Sequence, residues 1–537
     1  MYFQHNDGAE NRQGIKFTTK HAFLVLTGFV AAGLGLRQVL ESGLKVKQKV
    51  YQHSPVDKVL QALVGILGGC RFMKDLNRAA SPIAKDRSVA RAWGQKTFAH
   101  FSTVCRTLRA FTAQDVLTLA DLLGSITKRR LEPILRKLAG PDGRGLIVID
   151  VDLSGQKVRG ETTQYTGTAF GYIQGQLARG YQIAAAFLHT GADRFAVAGQ
   201  LKPGNARCAT CLLELIPHIE AVVGRPRRRV EFVQQCADEL QKQIAQIEHD
   251  LKNLGKGRGV PQRRKALESR LEEQRQRLAE VKARLAQYHR ENADNPTPRR
   301  IVLRADSAFG TAEAIQLCLE LGYELVMKRY SVTPYRDLFD AAPPECWTDV
   351  GKKRQASEAL PIPAVSLLSP FSLRQVAMQR TDVDGRVVRA VIVTTLRPDE
   401  FPLRNLVRLY EARQSIEAAF QECKHTFHFG TPRLRSAEAN GAFTQLVLFA
   451  FNLVRWTEQV TTKVSGRPVR NGTRLWVWTA AHCEATVTLT LKPLSCTLRF
   501  SRRSGLAGLR IVAEIPPDPE FTCCPKRTSG LFAPMLS

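Results

Sequence analysis

Acidic side chains are in short supply. Across 537 residues, 49 Asp and Glu stand against 78 Lys and Arg, leaving a formal charge of +29 and a pI near 10.0. An imbalance of that size excludes a surface built to meet cationic partners and favours a polyanion, of which nucleic acid is the commonest. Long apolar runs are also missing. The longest, from Ala22 to Leu36, is broken by Thr27 and three glycines. It falls short of the ~20 residues a spanning helix needs and carries no small-residue cleavage pattern. A buried helix is therefore expected there, and a membrane partner is not. The 12 cysteines form no framework. Cys208 and Cys211 make a CxxC pair, but no second pair lies at zinc-finger spacing, so free thiols in a reducing cytoplasm are expected.

What is present divides into segments. Residues 1–140 read as all-helical, with amphipathic stretches such as VDKVLQALVGILGG and no strong strand pattern. Within them KTFAHFSTVCRTLRAF has Ser102 and Thr103 at its opening and Arg106 and Arg109 on its exposed side. It reads as a DNA-contacting recognition helix or as an ordinary bundle helix, and the residues leave both open. From 141 to 224 the texture changes. GLIVIDVDLSG is an apolar run carrying two aspartates, the pattern of a strand buried on both faces. Residues 225–291 repeat apolar positions at spacings of four and three on either side of GKGRGVP, which predicts an antiparallel coiled-coil hairpin. Such a hairpin suits a spacer, a dimerisation surface or an arm along a DNA backbone. Residues 292–330 return to strand, helix and strand. Residues 331–402 read as a β-rich insertion, 403–464 as helical, and 465–537 as a mixed region with a possible part in dimerisation.

Four residues in YEARQSIEAAFQECK stand out. Tyr410, Arg413, Glu417 and Lys424 fall in one stripe roughly 60° wide on a continuous helix. Leu409, Ile416, Phe420 and Cys423 fill an adjacent arc that can anchor in a core. Alone, Glu417 reads equally well as a surface bridge to Arg413. The two aspartate strands alter that balance. Asp150 and Asp152 alternate on one buried strand and so share a face, and Asp306 ends another in LRADSAFG. Aspartates in apolar strands are costly unless paired or bound to a cation. Two strand-end aspartates and a helical glutamate offer oxygen ligands suited to Mg²⁺, with Mn²⁺ as a substitute. Arg413 and Lys424 would clamp neighbouring phosphates, and Tyr410 would donate to one.

The spacing Tyr410-x2-Arg413-x3-Glu417-x6-Lys424 resembles the YREK motif of the insertion-sequence-four group of DDE transposases. LRADSAFG resembles their second-aspartate strand, VDLSGQKVRG their first, and FTTKHAFLVLTGFVAAGLGL the opening of one branch. The resemblance covers most of residues 15–460. It implies an α/β fold, an RNase H-like mixed sheet with flanking helices and a β-rich insertion between the second aspartate and the glutamate; the coiled-coil hairpin, absent from the family pattern, also interrupts this core, and the all-helical segment, read as a DNA-binding domain, precedes it. It implies a Mg²⁺-dependent endonuclease that binds the inverted repeats of an insertion sequence, cleaves the ends and joins the 3′-OH to target DNA. Asp152, Asp306 and Glu417 would be the catalytic acids. The first acid is Asp150 or Asp152. Ser154 stands two residues after Asp152, as in the family pattern, which points to Asp152 with Asp150 as a supporting metal carboxylate. Trp347, the one tryptophan of the insertion, would stack on a flipped base or sit in a small core. A homodimer on paired double-stranded DNA ends is expected, in the bacterial cytoplasm beside the nucleoid. An inactive DNA-binding derivative and a structure-selective nuclease on the same fold are the alternatives.

Overall fold

The computed structural model describes residues 15–463, apart from 50–51, 144, 159–163, 174, 192, 256–258, 352, 369–370, 383 and 431–433, together with 484–491, 494–501 and 510–514. The chain opens on strand β1 (Ile15–Thr19) and continues as helices α1 (Ala22–Gly33), α2 (Leu36–Gly43), α3 (Pro55–Leu67), α4 (Asp75–Arg78), α5 (Arg87–Ala92), α6 (Phe101–Arg109) and α7 (Ala113–Ala139). The apolar run of α1 is buried along ten consecutive residues from Ala22, as a helix apolar on every side must be. Among the described residues no single helix is long and apolar enough to cross a membrane. Capping boxes fix the starts of α3, by Ser54 and Asp57, and of α7, by Thr112 and Asp115.

The main sheet begins with β2 (Ile147–Lys157), β3 (Ala169–Ile173), β4 (Gln176–His189) and β5 (Arg194–Pro203). Helices α8 (Cys208–Val223), α9 (Val230–Lys252) and α10 (Val260–Ala293) separate these from β6 (Ile301–Ala305). Then come α11 (Ala312–Glu320), β7 (Glu324–Lys328), α12 (Arg336–Asp340), β8 (Thr348–Gly351), β9 (Arg354–Ser357), β10 (Arg374–Thr381) and β11 (Val387–Thr394). Strand β2 pairs antiparallel with β4 and parallel with β6, and β6 pairs parallel with β7. Strand β5 lies beside β4, so the core order is β5-β4-β2-β6-β7. This mixed sheet with flanking helices is compatible with an RNase H-like transposase. Residues 331–402, expected as a β-rich insertion, prolong the same sheet. Strand β11 pairs antiparallel with the β7 edge, and β10, β9 and β8 follow in order. A bare β7 edge would leave a row of unpaired backbone groups, and β11 satisfies it.

After the sheet come α13 (Leu403–Glu411), α14 (Gln414–Thr426) and α15 (Ala437–Gln459). Helix α15 is the central post. It packs on β5 and on α1, α3, α6 and α7, so the N-terminal helices and the sheet share one apolar cluster. A second small sheet, β1-β13-β14-β15-β12, is formed with β12 (Thr461–Lys463), β13 (Ala485–Leu491), β14 (Leu494–Phe500) and β15 (Arg510–Glu514). Its β1 pairs with β13, so the all-helical expectation for residues 1–140 fails at Ile15–Thr19. Most of 465–537, with its expected part in dimerisation, lies outside the described residues.

Candidate active site

Strand register builds the site. Asp150 lies opposite Arg304 and Val151 opposite Ala305, in the parallel β2–β6 pair. One step further brings Asp152, midway along β2, beside Asp306, just past the carboxyl end of β6. The i, i+2 rule puts both charged pairs on one face. The inner pair is an ion pair. Asp150 is wholly buried, and both its oxygens accept from Arg304, at 2.7 and 2.8 Å. Arg194 adds a third contact at 3.7 Å. Asp150 therefore already has its cation, and the expectation of a metal-holding carboxylate there gives way to a buried guanidinium partner.

The outer pair is like-charged. Asp152 has a side chain 14% exposed. Its carboxyl is pushed up to about 6 by burial and by Asp306, against the pull of Arg413. Asp306 also accepts from the amide of Ala308 at 3.0 Å, which fixes its direction at the head of the following turn.

Tyr410, Arg413, Glu417 and Lys424 do not share one helix. The helix expected through them breaks at Ala412–Arg413, between α13 and α14. The cause is visible in the carbonyls. Leu409 O accepts from Arg304, and Ala412 O accepts from Arg194 at 2.9 Å. The amides of Arg413 and Ile416, which would bond those carbonyls in an α-helix, bond Tyr410 O and Arg413 O instead. The turn tightens to the i→i+3 pattern, in which residues three apart eclipse. Tyr410 and Arg413 are thereby brought side by side and hydrogen-bonded to each other. Arg194 is held in turn by His189, whose imidazole lies 3.0 Å away and is pushed down to about 4 by burial and the two guanidiniums. Asp150 thus acts at a distance: it holds the arginines that hold the break that aims Arg413.

Arg413 donates to Asp152 at 3.0 Å and stands 3.7 Å from Glu417. Burial would lower its pKa, but Asp152, Tyr410 and Asp306 outweigh that and raise it. The side chain of Glu417 is 63% exposed at the mouth of the site. Lys424 is half-buried, and the pull of Asp152 partly offsets the lowering that burial causes. Among the described residues no three His, Cys, Asp or Glu side chains are gathered closely enough to hold a metal ion. The two acids that are gathered repel each other, offer only oxygen donors and have one close arginine, which pairs with Asp152. That donor set fits a hard divalent cation.

Sequence reasoning missed Lys328. Ala305 is registered with Met327, so Lys328 comes next to Asp306 and completes a row Asp152–Asp306–Lys328 across β2, β6 and β7. Its ammonium lies 5.5 Å from the centre of the Tyr410 ring. Burial and then Arg413, Arg380 and Arg354 lower its pKa. The available signal was its place at the end of LVMK, matching Asp306 at the end of IVLRA. Cys208, at the start of α8, also borders the acids: burial and then Asp306 push its thiol up to about 11. Two expected DNA contacts lie apart from this cluster. Arg106 is exposed on α6, which packs on α3 and α15. Trp347 packs on Phe339, with ring centres 5.8 Å apart, in a small core with Tyr335, Leu360 and Val391.

A family model described as transposase DDE domain group 1 matches residues 265–470. The match runs from within α10 through Asp306, Lys328, Arg413 and Glu417 to just beyond α15, and leaves Asp152 outside. It supports a DDE transposase. No curated protein matches the chain. A DDE transposase implies a nuclease or transposase enzyme acting on DNA, which agrees with the basic composition.

Proposed function

We propose that this chain is a transposase of the insertion-sequence-four type. It binds double-stranded transposon ends, hydrolyses the phosphodiester at each end and joins the freed 3′-OH to target DNA. The observation that carries the reading is the register neighbourhood of Asp152 and Asp306 under Arg413. Asp152, Asp306 and Glu417 are the residues that would hold Mg²⁺, or Mn²⁺ in its place. The chemistry such an ion supplies at a phosphodiester is polarisation of the phosphoryl group and activation of a hydroxyl nucleophile.

The chain's own groups do the positioning. Arg413 neutralises Asp152 when the site holds no DNA, and its fork suits two oxygens of a phosphate. Lys328 and Lys424 stand near the acids as point charges, and Tyr410, whose ring lies 5.5 Å from the Lys328 ammonium, carries a hydroxyl donor. Glu417, exposed at the rim, has room to turn toward the acid pair when a strand is bound. In hydrolysis, water attacks phosphorus and the bond to the 3′ oxygen breaks. In joining, that 3′-OH attacks phosphorus of a target phosphodiester as it gives up its proton, and the target's own bond to its 3′ oxygen breaks, leaving a 3′-OH on the target strand. Both ends must be held together for joining, so a homodimer on paired ends is the working assembly, in the cytoplasm where the DNA is.

A labelled duplex from the element's end, incubated with the full chain and Mg²⁺, tests the reading. Cleavage followed by joining to a plasmid supports a transposase, and cleavage without joining supports a simple nuclease. Binding without cleavage supports a DNA-binding derivative. Cleavage by Asp306→Ala or Glu417→Gln at the parent rate would remove the assignment of the acids.

A further inference from the structure

The helical hairpin is anchored far more firmly than a solvated spacer requires. At its foot, Arg228 is 5% exposed and binds Glu220 at 2.6 and 2.7 Å and Glu291 at 2.7 Å. The amide and carbonyl of Arg228 bond Asn292 at the other leg. Arg229 donates to the carbonyls of Leu319 and Tyr323. The hairpin is therefore fixed to α11 and the start of β7.

Its direction follows from α11. That helix is the crossover between two parallel strands, so it runs from Asp306 back to the opposite end of the sheet. Helix α9 starts beside Glu320, at the far end of α11, and passes Gln316, whose amide lies 3.4 Å from Cys236 Sγ. It climbs toward the acid-bearing end. Nine residues of α11 rise about 14 Å, whereas the 23 of α9 rise about 35 Å. The upper part of the hairpin thus projects past the edge where Asp152 and Asp306 lie.

Helix α10 carries arginines at 263, 270, 277 and 284, one per heptad beside the Leu271, Leu278 and Leu285 seam. Arg284 meets Glu320 at the foot, at 3.6 Å. The other three are exposed and, among the described residues, close no ion pair; Glu273 and Glu280 lie a turn from Arg277 without bridging it. The row climbs about 10.5 Å per step and drifts only about 20° around the helix. Arg270 and Arg263 stand roughly 21 and 32 Å above the foot, beyond the acid-bearing end. From Arg277 to Arg263 the row spans about 21 Å, roughly six base pairs at 3.4 Å each.

We infer that Arg263, Arg270 and Arg277 form a rigid arm that holds the phosphate backbone of the duplex entering the Asp152–Asp306 site. This rests on the transposase reading, and the partner is a DNA duplex by charge complementarity: a straight, unpartnered cationic row on a chain of charge +29. Backbone contacts carry no sequence, so the arm would act on any duplex long enough to reach it.

The test is the salt dependence of binding of the full chain to a ~40-base-pair duplex of arbitrary sequence, read by fluorescence anisotropy. The variant is Arg263→Gln/Arg270→Gln/Arg277→Gln. A control removes equal charge from the other flank of α10, as Arg275→Gln/Lys282→Gln/Arg290→Gln. Three lost phosphate contacts reduce the log–log salt slope by about 2.7. Over a fourfold rise in salt, the parent then loses about 40-fold more affinity than the arm variant. The control keeps a slope near the parent's, and on a duplex of ~10 base pairs the arm variant and parent converge. An unchanged slope in the arm variant overturns the inference. So do equal losses in arm variant and control, or a loss of self-association in place of DNA affinity. Cleavage of end DNA by the parent is scored separately: a parent that binds but never cuts refutes the transposase reading and leaves the arm to be decided by the slope.

Discussion

Asp150 and Asp152 stand two residues apart on one strand face, yet neutralising them should move stability in opposite directions. Asp150 is wholly buried against Arg304, itself 0% exposed. Asp150→Asn strands that guanidinium in the core, and breaking one side of a buried pair costs about 3–5 kcal/mol. Asp152 is the reverse case. Its carboxyl is raised from an ordinary 3.8 to about 6, so its charge opposes folding. For a raised carboxyl, the associated stability is fully present below pH ~4 and is lost as the pH rises through about 6. The loss is on the order of 3 kcal/mol at pH 7.5. Asp152→Asn removes it, so in EDTA the variant should match the parent near pH 4 and exceed it at pH 7.5. At about 2.1 cal/mol/K per residue, 537 residues give an unfolding entropy near 1.1 kcal/mol/K, or about 1 °C for each kcal/mol. Thermal melts followed by intrinsic fluorescence should show Asp150→Asn some 3–5 °C below the parent and Asp152→Asn up to about 3 °C above it at pH 7.5. Pairing Asp150→Leu with Arg304→Met should recover part of the first loss, because Arg194 and Leu409 O still lose a partner. Two shifts of the same sign, or an Asp152→Asn gain that persists unchanged at pH 4, would refute the division of labour between the two acids.

Three further outcomes are expected. Burial and neighbouring arginines lower the Lys328 pKa, so end-DNA affinity should decline on the alkaline side at lower pH for the parent than for Lys328→Arg, measured by anisotropy. Arg228→Met leaves Glu220 and Glu291 without their cation at about 3–5 kcal/mol, and hydrogen exchange should quicken in α9 and α10 while α15 stays protected. With its thiol pushed up to about 11, Cys208 is about one part in a thousand thiolate at pH 8, and mass spectrometry should find it alkylated far more slowly than a free thiol.

The sequence displayed the chemistry wherever it was written locally. Asp152 and Asp306 were visible because an acid in an apolar strand run violates the pattern around it, and the hairpin was visible as a repeating spacing. The apolar run from Ala22 was readable as a buried helix for the same reason. What stayed hidden depends on partners distant along the chain. Arg304 lies 154 residues from Asp150, and only strand register brings them face to face. The break at Ala412–Arg413 has no glycine or proline to announce it, because side chains from β5 and β6 impose it by taking two carbonyls. Lys328 looked like the polar end of a buried strand, and its place beside Asp306 is again a matter of register. The extension of the sheet by β11 is non-local in the same way, since its pattern announces a strand without naming the edge it will join, and the five residues of β1 were missed as a strand because the edge that pairs them, β13, lies more than 460 residues on.

The proposed cleavage requires Asp152 to hold the metal ion. Asp152→Cys tests it most directly, because a thiolate is a poor ligand for Mg²⁺ and a good one for softer ions. Cleavage of an end duplex by this variant should be lost in Mg²⁺ and return in part when Mn²⁺ or Cd²⁺ replaces it, while the parent cuts in Mg²⁺. Cleavage by Asp152→Cys in Mg²⁺ at the parent rate would contradict the account.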